Sequence, residues 1–420
     1  MKTVVLDDDP TGTQSASGVE VLFDADARSI TGALSTADSV YLQTNSRAID
    51  EASAVALARR LRAEAEAAAA ALGVDIRFVL RGDSTLRGHV FAETAVFESA
   101  HSIMVFVPAF PAGGRVTRDG VHYVRSDGHD VPAADTEYAD DPVFPFRSSS
   151  LVDYVAEKSG RVATPVPLQE IRSGSLLDVL TNAAPGAVIV PDAETDDDVS
   201  SIATAITSAI AAGTSVVVRC ASPLAAALAG VASEGLLAGP LVDASGSVLV
   251  VCGSHTAGAT AQLATLAEEV GPPFIVDTDR ALADSAGESV RVTAAAAHAL
   301  HHRHLAIVAS ERQRRREHNT LEHGEKVMET LIATVSGLLA GADLIISKGG
   351  ITSSEIASRG IGADGAWVLG QILPGVSLWR MRDRHDREIH YVVVPGNVGD
   401  SQTLVDAVRI ARGDRVVPSG

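Results

Sequence analysis

The chain has 420 residues, 46% of them apolar, and a formal net charge of −19. That length exceeds one ordinary core and fits two α/β domains, while the charge repels nucleic acid and anionic membranes and favours a small-molecule partner. No run approaches the roughly 20 apolar residues that cross a bilayer, and Met1–Leu6 lacks the longer apolar region of a signal peptide, so a soluble cytoplasmic protein is expected.

Short β-branched runs alternate with Ala/Leu-rich segments of helical length, the pattern of parallel sheets covered by helices. The first half predicts strands at 3–6, 39–43, 77–80, 103–107, 187–190 and 215–219, with helices at 51–72 and 199–212. A turn-rich segment, Gly235-Leu236-Leu237-Ala238-Gly239-Pro240, places the domain boundary there, giving 1–238 and 239–420. A second alternation predicts strands at 247–252, 274–276, 305–309, 344–347 and 391–394. The expected fold is therefore two Rossmann-like three-layer α/β domains with mostly parallel sheets and a cleft between them.

The first strand runs into Asp7-Asp8-Asp9 and then Pro10-Thr11-Gly12. Three adjacent acids at the carboxyl end of a strand repel one another unless arginines, a cation or a hydroxyl-bearing ligand offset the charge, and one of them with a raised pKa suits general-base work. A helix N-cap is the structural alternative. The second strand is followed by Thr44-Asn45-Ser46-Arg47 and the third by Arg81-Gly82-Asp83-Ser84-Thr85-Leu86-Arg87-Gly88-His89. Guanidinium forks beside a carboxylate and hydroxyls suit a polyhydroxy carboxylate, with the arginines on its carboxylate and the other groups on its hydroxyls. Pro108 to Arg115 reads either as a rigid pocket wall or as a structural turn.

In the second half, three glycine loops follow strands: Gly253-Ser254-His255-Thr256, Lys348-Gly349-Gly350-Ile351-Thr352-Ser353 and Pro395-Gly396-Asn397-Val398-Gly399. Together they form a candidate polyphosphate cradle, because glycine lets backbone amides approach phosphate oxygens. Lys348 reads either as a phosphate-neutralising group or as an exposed lysine. No GxxxxGK(S/T) is present, and the GxGxxG match at 360–365 follows a helical segment where a dinucleotide site needs a strand. His298, His301, His302, His304, His318 and His323 are irregularly spaced and unaccompanied by acidic or thiol ligands, so no residue is assigned to a metal. The basic run 312–316 reads as a solvated face that could reach phosphates. Cys220 and Cys252 end Val-rich runs and read as strand residues rather than a disulfide.

Taken in order, Asp8-Asp9-Pro10-Thr11-Gly12, Asp83-Ser84-Thr85-Leu86-Arg87-Gly88, Pro108-Ala109-Phe110-Pro111 and Gly120-Val121-His122-Tyr123 resemble the four-carbon acid sugar kinase family over nearly the whole chain. The resemblance implies a first domain that holds a sugar acid, a second that holds ATP, and transfer of the γ-phosphoryl group with Mg2+ on the phosphates. Position and chemistry point to Asp8 as base with Asp9 as its neighbour or as a metal partner. Asn45, Ser46, Arg47, Arg81, Asp83, Ser84 and Arg87 are the expected sugar-acid ligands. Ser254, Thr256, Gly349, Gly350, Thr352, Ser353, Gly396, Asn397 and Gly399 are expected around the nucleotide. The chain departs from the family pattern at Ile351, where an acid is common, and at His255, where the family often has Gly-Ser-Cys-Ser. An NAD-dependent sugar-acid dehydrogenase and a non-catalytic sugar-acid sensor are the competing readings, and a homodimer is a possible assembly.

Overall fold

The computed structural model describes residues 1–126, 128–312, 321–396 and 398–414. The chain divides into two units, Met1–Ser233 and Glu234–Gly420.

In the first unit the strands are β1 (Lys2–Asp7), β2 (Val19–Leu22), β3 (Ser39–Gln43), β4 (Ile76–Arg81), β5 (Ile103–Val107), β6 (Arg115–Arg118), β7 (Val121–Ser126), β8 (His129–Pro132), β9 (Ala163–Val166), β10 (Val188–Pro191) and β11 (Val216–Cys220). Eight of them form a parallel sheet in the order β2-β3-β1-β4-β11-β5-β10-β9. The central strands are buried on both faces, which is why they read as continuous apolar runs. The expected helix Glu51–Leu72 forms: Asp50 accepts from the Ser53 amide at 3.0 Å, and Gly73, with φ +66°, ends it. Its buried residues Ala54, Ala58, Leu61, Ala65 and Ala68 recur every three or four positions, giving one stripe that faces the sheet. The helix expected at 199–212 runs Asp196–Ala211, because Thr195 and Asp198 make a reciprocal capping box three residues earlier.

The second unit contains β12 (Val248–Cys252), β13 (Phe274–Val276), β14 (Leu305–Ser310), β15 (Leu344–Lys348), β16 (Gly365–Leu373), β17 (Val376–Arg382) and β18 (Glu388–Val394), ordered β13-β14-β12-β15-β18-β17-β16. The first five in that order are parallel; β16 and β17 extend the sheet in antiparallel fashion. These two strands were not expected, since β16 alternates half-buried and buried residues instead of running apolar. Residues 356–361 form a π-helical turn and β16 begins only at Gly365, so in the GxGxxG match the strand follows the glycines.

Both units share a topological device. The chain leaves β1 to build β2 and β3 on one side and then crosses to β4 on the other; it leaves β12 to build β13 and β14 and then crosses to β15. The strand order therefore reverses at β1/β4 and at β12/β15. At such a switch point the two following loops diverge and leave a crevice at the carboxyl ends of the strands. Buried, free Cys220 and Cys252 end β11 and β12, and no helix among the described residues is long and apolar enough to cross a membrane.

Candidate active site

At the β1/β4 switch point, Asp7 and Arg81 are registered opposite each other as the last residues of their strands. Arg81 is 2% exposed, and its Nη1 lies 3.0 Å from Asp7 Oδ1, 3.4 Å from Asp8 Oδ1 and 3.1 Å from the Asp9 carbonyl. Arg47, from the loop after β3, lies 3.5 Å from Asp8 Oδ2, 2.5 Å from Asp9 Oδ2 and 3.4 Å from Asp83 Oδ2. Asp9 also caps the turn Pro10–Ser15 by accepting from the Thr11 amide at 2.8 Å. Asp9 thus both caps the turn and pairs with Arg47, while Asp7 and Asp8 pair with guanidinium groups.

These contacts set the protonation of the acids. Burial, helped by Asp8 and Asp9 and opposed by Arg81, pushes Asp7 up to about 7. Burial also raises Asp8, against the pull of Arg47, Arg219 and Arg81. For Asp9 burial works upward, but Arg47, Arg81 and the bonds from Thr11 hold it below the ordinary carboxylate range. Asp83 is likewise buried, yet Arg87 and Arg47 keep it well below that range. The carboxyls of Asp7, Asp8, Asp9, Asp83 and Glu93 face the guanidinium groups of Arg47, Arg81, Arg87 and Arg219.

The loop 83–89 is fixed from several sides. Arg87 Nε donates to Asp83 Oδ2 at 2.7 Å, and Thr85 donates to the same oxygen. The Ser84 carbonyl accepts from His122 Nε2 at 2.8 Å, so that nitrogen carries the proton and Nδ1, 3.0 Å from Thr117 Oγ1, accepts. Burial holds His122 down at about 4, so it stays neutral. Leu86 has φ +68°, an uncommon conformation for a branched residue, and its carbonyl accepts from Tyr154 at 2.7 Å. The Pro108–Arg115 segment proves to be a turn: Phe110 and Arg115 exchange backbone hydrogen bonds at 2.8 and 3.0 Å and start the three-stranded sheet β6-β7-β8 that carries His122.

Of the expected ligands, Arg47, Arg87 and Asn45 are half-buried, while Ser46, Asp83 and Ser84 are buried. The Ser46 hydroxyl has no hydrogen-bond partner among the described residues. Arg81 is buried and enclosed by the acids it pairs with. Sequence reasoning missed Arg219 and Glu93, which approach Asp8 from behind. The available signal was an arginine inside the apolar run Val216-Val217-Val218-Arg219-Cys220, a charge that must be paired if that strand is buried.

At the β12/β15 switch point the glycine loops meet. A β-carbon on Gly349 would lie 2.8 Å from Ser254 Cβ, one on Gly253 would lie 2.4 Å from Thr352 Oγ1, and one on Gly396 would lie 3.1 Å from Ser254 Oγ. Glycine is required there by closeness, and at Gly349 by its φ of +112° as well. Thr256 caps the helix Ala257–Val270 and donates to the Gly396 carbonyl at 3.0 Å, tying the first loop to the third. Ser353 is buried and donates to the Gly349 carbonyl at 2.8 Å. Thr352 packs against Gly253, so these two hydroxyls shape the cradle from inside. Ser254, Gly350 and Gly396 are half-buried at its surface, Gly399 is exposed, and Asn397 lies outside the described residues.

The exposed reading of Lys348 does not hold. It is fully buried, donates to the carbonyls of Pro395 at 2.6 Å and Val398 at 3.4 Å, and burial lowers it to about 8. It clamps the third loop. Arg312 likewise wraps the first, donating to the carbonyls of Ser254 and, at 3.1 Å, Cys252. The rest of that basic run, 313–316, and His318 lie outside the described residues. His255 sits 3.4 Å from Ser310 Oγ, and Ile351 is 51% exposed beside Gly350. Among the described residues no group of three or more His, Cys, Asp or Glu side chains could hold a metal ion.

A family model described as a sugar-binding N-terminal domain matches residues 3–228, and one described as a nucleotide-binding C-terminal domain matches 249–404. The chain is 28% identical to the D-threonate kinase of Salmonella typhimurium over 97% of its own length and 98% of that protein's. It is 32% identical to the D-erythronate kinase of Heliobacterium modesticaldum over 49% of this chain and 46% of that one. A solved structure from Salmonella typhimurium LT2 superposes with a TM-score of 0.69 at 18% identity, covering 97% and 99% of the two chains, which shows the shared fold.

Proposed function

The chain belongs to the four-carbon acid sugar kinase family, and from that premise we propose that it transfers the γ-phosphoryl group of ATP to a hydroxyl of a four-carbon sugar acid such as D-threonate or D-erythronate. The observation that carries the reading is Asp8: a buried carboxylate with a raised pKa at the end of the central strand of the sugar-binding unit, held by Arg47, Arg81 and Arg219. A hydroxyl of the acid gives its proton to the Asp8 carboxylate as its oxygen bonds to the γ-phosphorus. The bond from that phosphorus to the β–γ bridging oxygen breaks, and ADP leaves. Asp9, held by Arg47 and Arg81, stays ionised beside it.

Arg47 and Arg87, the half-buried guanidinium groups, take the substrate carboxylate, while Asn45, the unpartnered Ser46 hydroxyl, Asp83 and Ser84 read its hydroxyls. The phosphates lie on the amides of the Ser254, Gly349–Gly350 and Gly396–Gly399 loops at the start of the helix Ala257–Val270. Among the described residues these loops offer amides and not a carboxylate cage, so Mg2+, when bound, would be held mainly through the phosphates and would neutralise their charge. ATP as donor suits a cytoplasmic enzyme. The dehydrogenase reading loses its basis with the GxGxxG match, since the strand comes after the glycines.

The test is ADP release from ATP and Mg2+ with D-threonate, D-erythronate and three- to six-carbon aldonates and oxo-aldonates. ADP formation dependent on one four-carbon acid is the expected result. Turnover of longer acids alone, or none with ATP still bound, would reject the substrate class.

A further inference from the structure

Behind Asp8 lies an ion pair that no substrate contact requires. Arg219, on β11, and Glu93, on the short helix Val90–Ala95, are 2% and 5% exposed. Arg219 Nη1 donates to Glu93 Oε2 at 2.7 Å, and Nη2 donates to Asp8 Oδ2 at 3.1 Å. Two glycines of the loop between β4 and that helix make room for it. A β-carbon on Gly82 would fall 2.5 Å from Arg219 Nε, and one on Gly88 would fall 3.2 Å from Asp8 Oδ2 and 3.4 Å from Arg219 Nη2. A cavity of about 10 Å³, lined by Asp8, Thr44, Arg81, Glu93 and Arg219 among others, lies beside these groups with room for about one water.

Building this pair is costly, because each charge loses its hydration and only the partner restores it. Arg47 is shared among Asp8, Asp9 and Asp83, and Arg81 among Asp7, Asp8 and the Asp9 carbonyl. The carboxylates paired with Arg219 are Glu93 and Asp8. We infer that Glu93 and Arg219 are positioning residues for the base: Glu93 anchors the guanidinium so that one N–H fixes the rotation of the Asp8 carboxylate and only part of the positive charge reaches it. The inference rests on the reading of Asp8 as general base.

The charges facing Asp8 are Arg47, Arg81, Arg219, Glu93 and the neighbouring Asp7 and Asp9, with Asp83 behind Arg47. Of these, Arg219 and Glu93 act on its basicity in opposite directions. Glu93→Gln frees the guanidinium for Asp8, making it a weaker base: the acidic limb of the kcat–pH profile moves down by about one unit and kcat falls, while KM for the sugar acid changes little. Arg219→Gln moves the limb up. Arg219→Lys, which keeps the charge without the fork, leaves the limb in place and lowers kcat. A purely structural pair would move no limb in opposite senses. Unmoved limbs in folded variants, with Asp8→Asn inactive, overturn the inference; should Arg219→Gln fail to fold, the Glu93→Gln profile decides alone. Normal turnover by Asp8→Asn would reject the base reading instead.

Discussion

The carboxyl group of Asp7 lies flat against the α-carbon of Gly12: a β-carbon there would fall 2.0 Å from either carboxylate oxygen. The glycine of the Asp-Asp-x-Thr-Gly signature is therefore a space requirement of the acid at the end of β1. Gly12→Ala is expected to displace Asp7 and with it Arg81, costing about 1–3 kcal/mol by overpacking. Urea unfolding measures the loss, and turnover should fall far more than that loss of folded protein explains.

Asp8→Asn keeps the shape of the side chain and removes its basicity. Turnover should drop by about 10²–10⁴-fold, the usual worth of a positioned base, and the thermal midpoint should fall without loss of folding, because a carboxylate facing Arg47, Arg81 and Arg219 is neutralised. Steady-state kinetics beside a melting curve checks both halves.

Asp7 gives a pH signature. Its carboxyl is raised by burial from 3.8 to about 7, so between those values the folded chain holds a proton that the unfolded chain has released. The contribution is complete below the lower value and is lost as pH rises through the upper one, with a size on the order of a few kcal/mol. The stability difference between the parent and Asp7→Asn should thus shift against the parent as pH rises from 4 to 8, read from unfolding midpoints across that range.

Lys348→Met removes the donor to the buried Pro395 and Val398 carbonyls. A stability loss of about 1–3 kcal/mol is expected from the unsatisfied acceptors. Because the clamp shapes the nucleotide loop and nothing in the sugar-binding unit, KM for ATP should rise while KM for the acid holds. Equal rises in both would refute the clamp.

Much of this architecture was legible in the sequence because the signals were local. Buried parallel strands read as apolar runs, the helix Glu51–Leu72 carries its own cap and stop, and Thr256 precedes its helix as a cap should. Strands β2, β6–β9, β16 and β17 were not legible: β2, β6, β8 and β9 span four residues each, too few to show a period, and β16 alternates half-buried and buried residues instead of running apolar. The burial of Arg81 and Lys348 was not legible for a related reason, since a charged residue at a strand end looks the same in sequence whether it meets a ligand or a buried partner.

The chemistry available is readable along the chain: which strands end in acids, arginines and glycines, and in what order, because hydrophobic period and turn residues act over a few neighbours. Which of those groups face one another depends on the folded arrangement of the strands. Asp8 meets Arg219 across 211 positions, and Lys348 meets Pro395 across 47. Such pairings are set by strand order at the two switch points, and the buried setting they create, not the residue type, fixes which acid keeps its proton and which cation serves as a clamp.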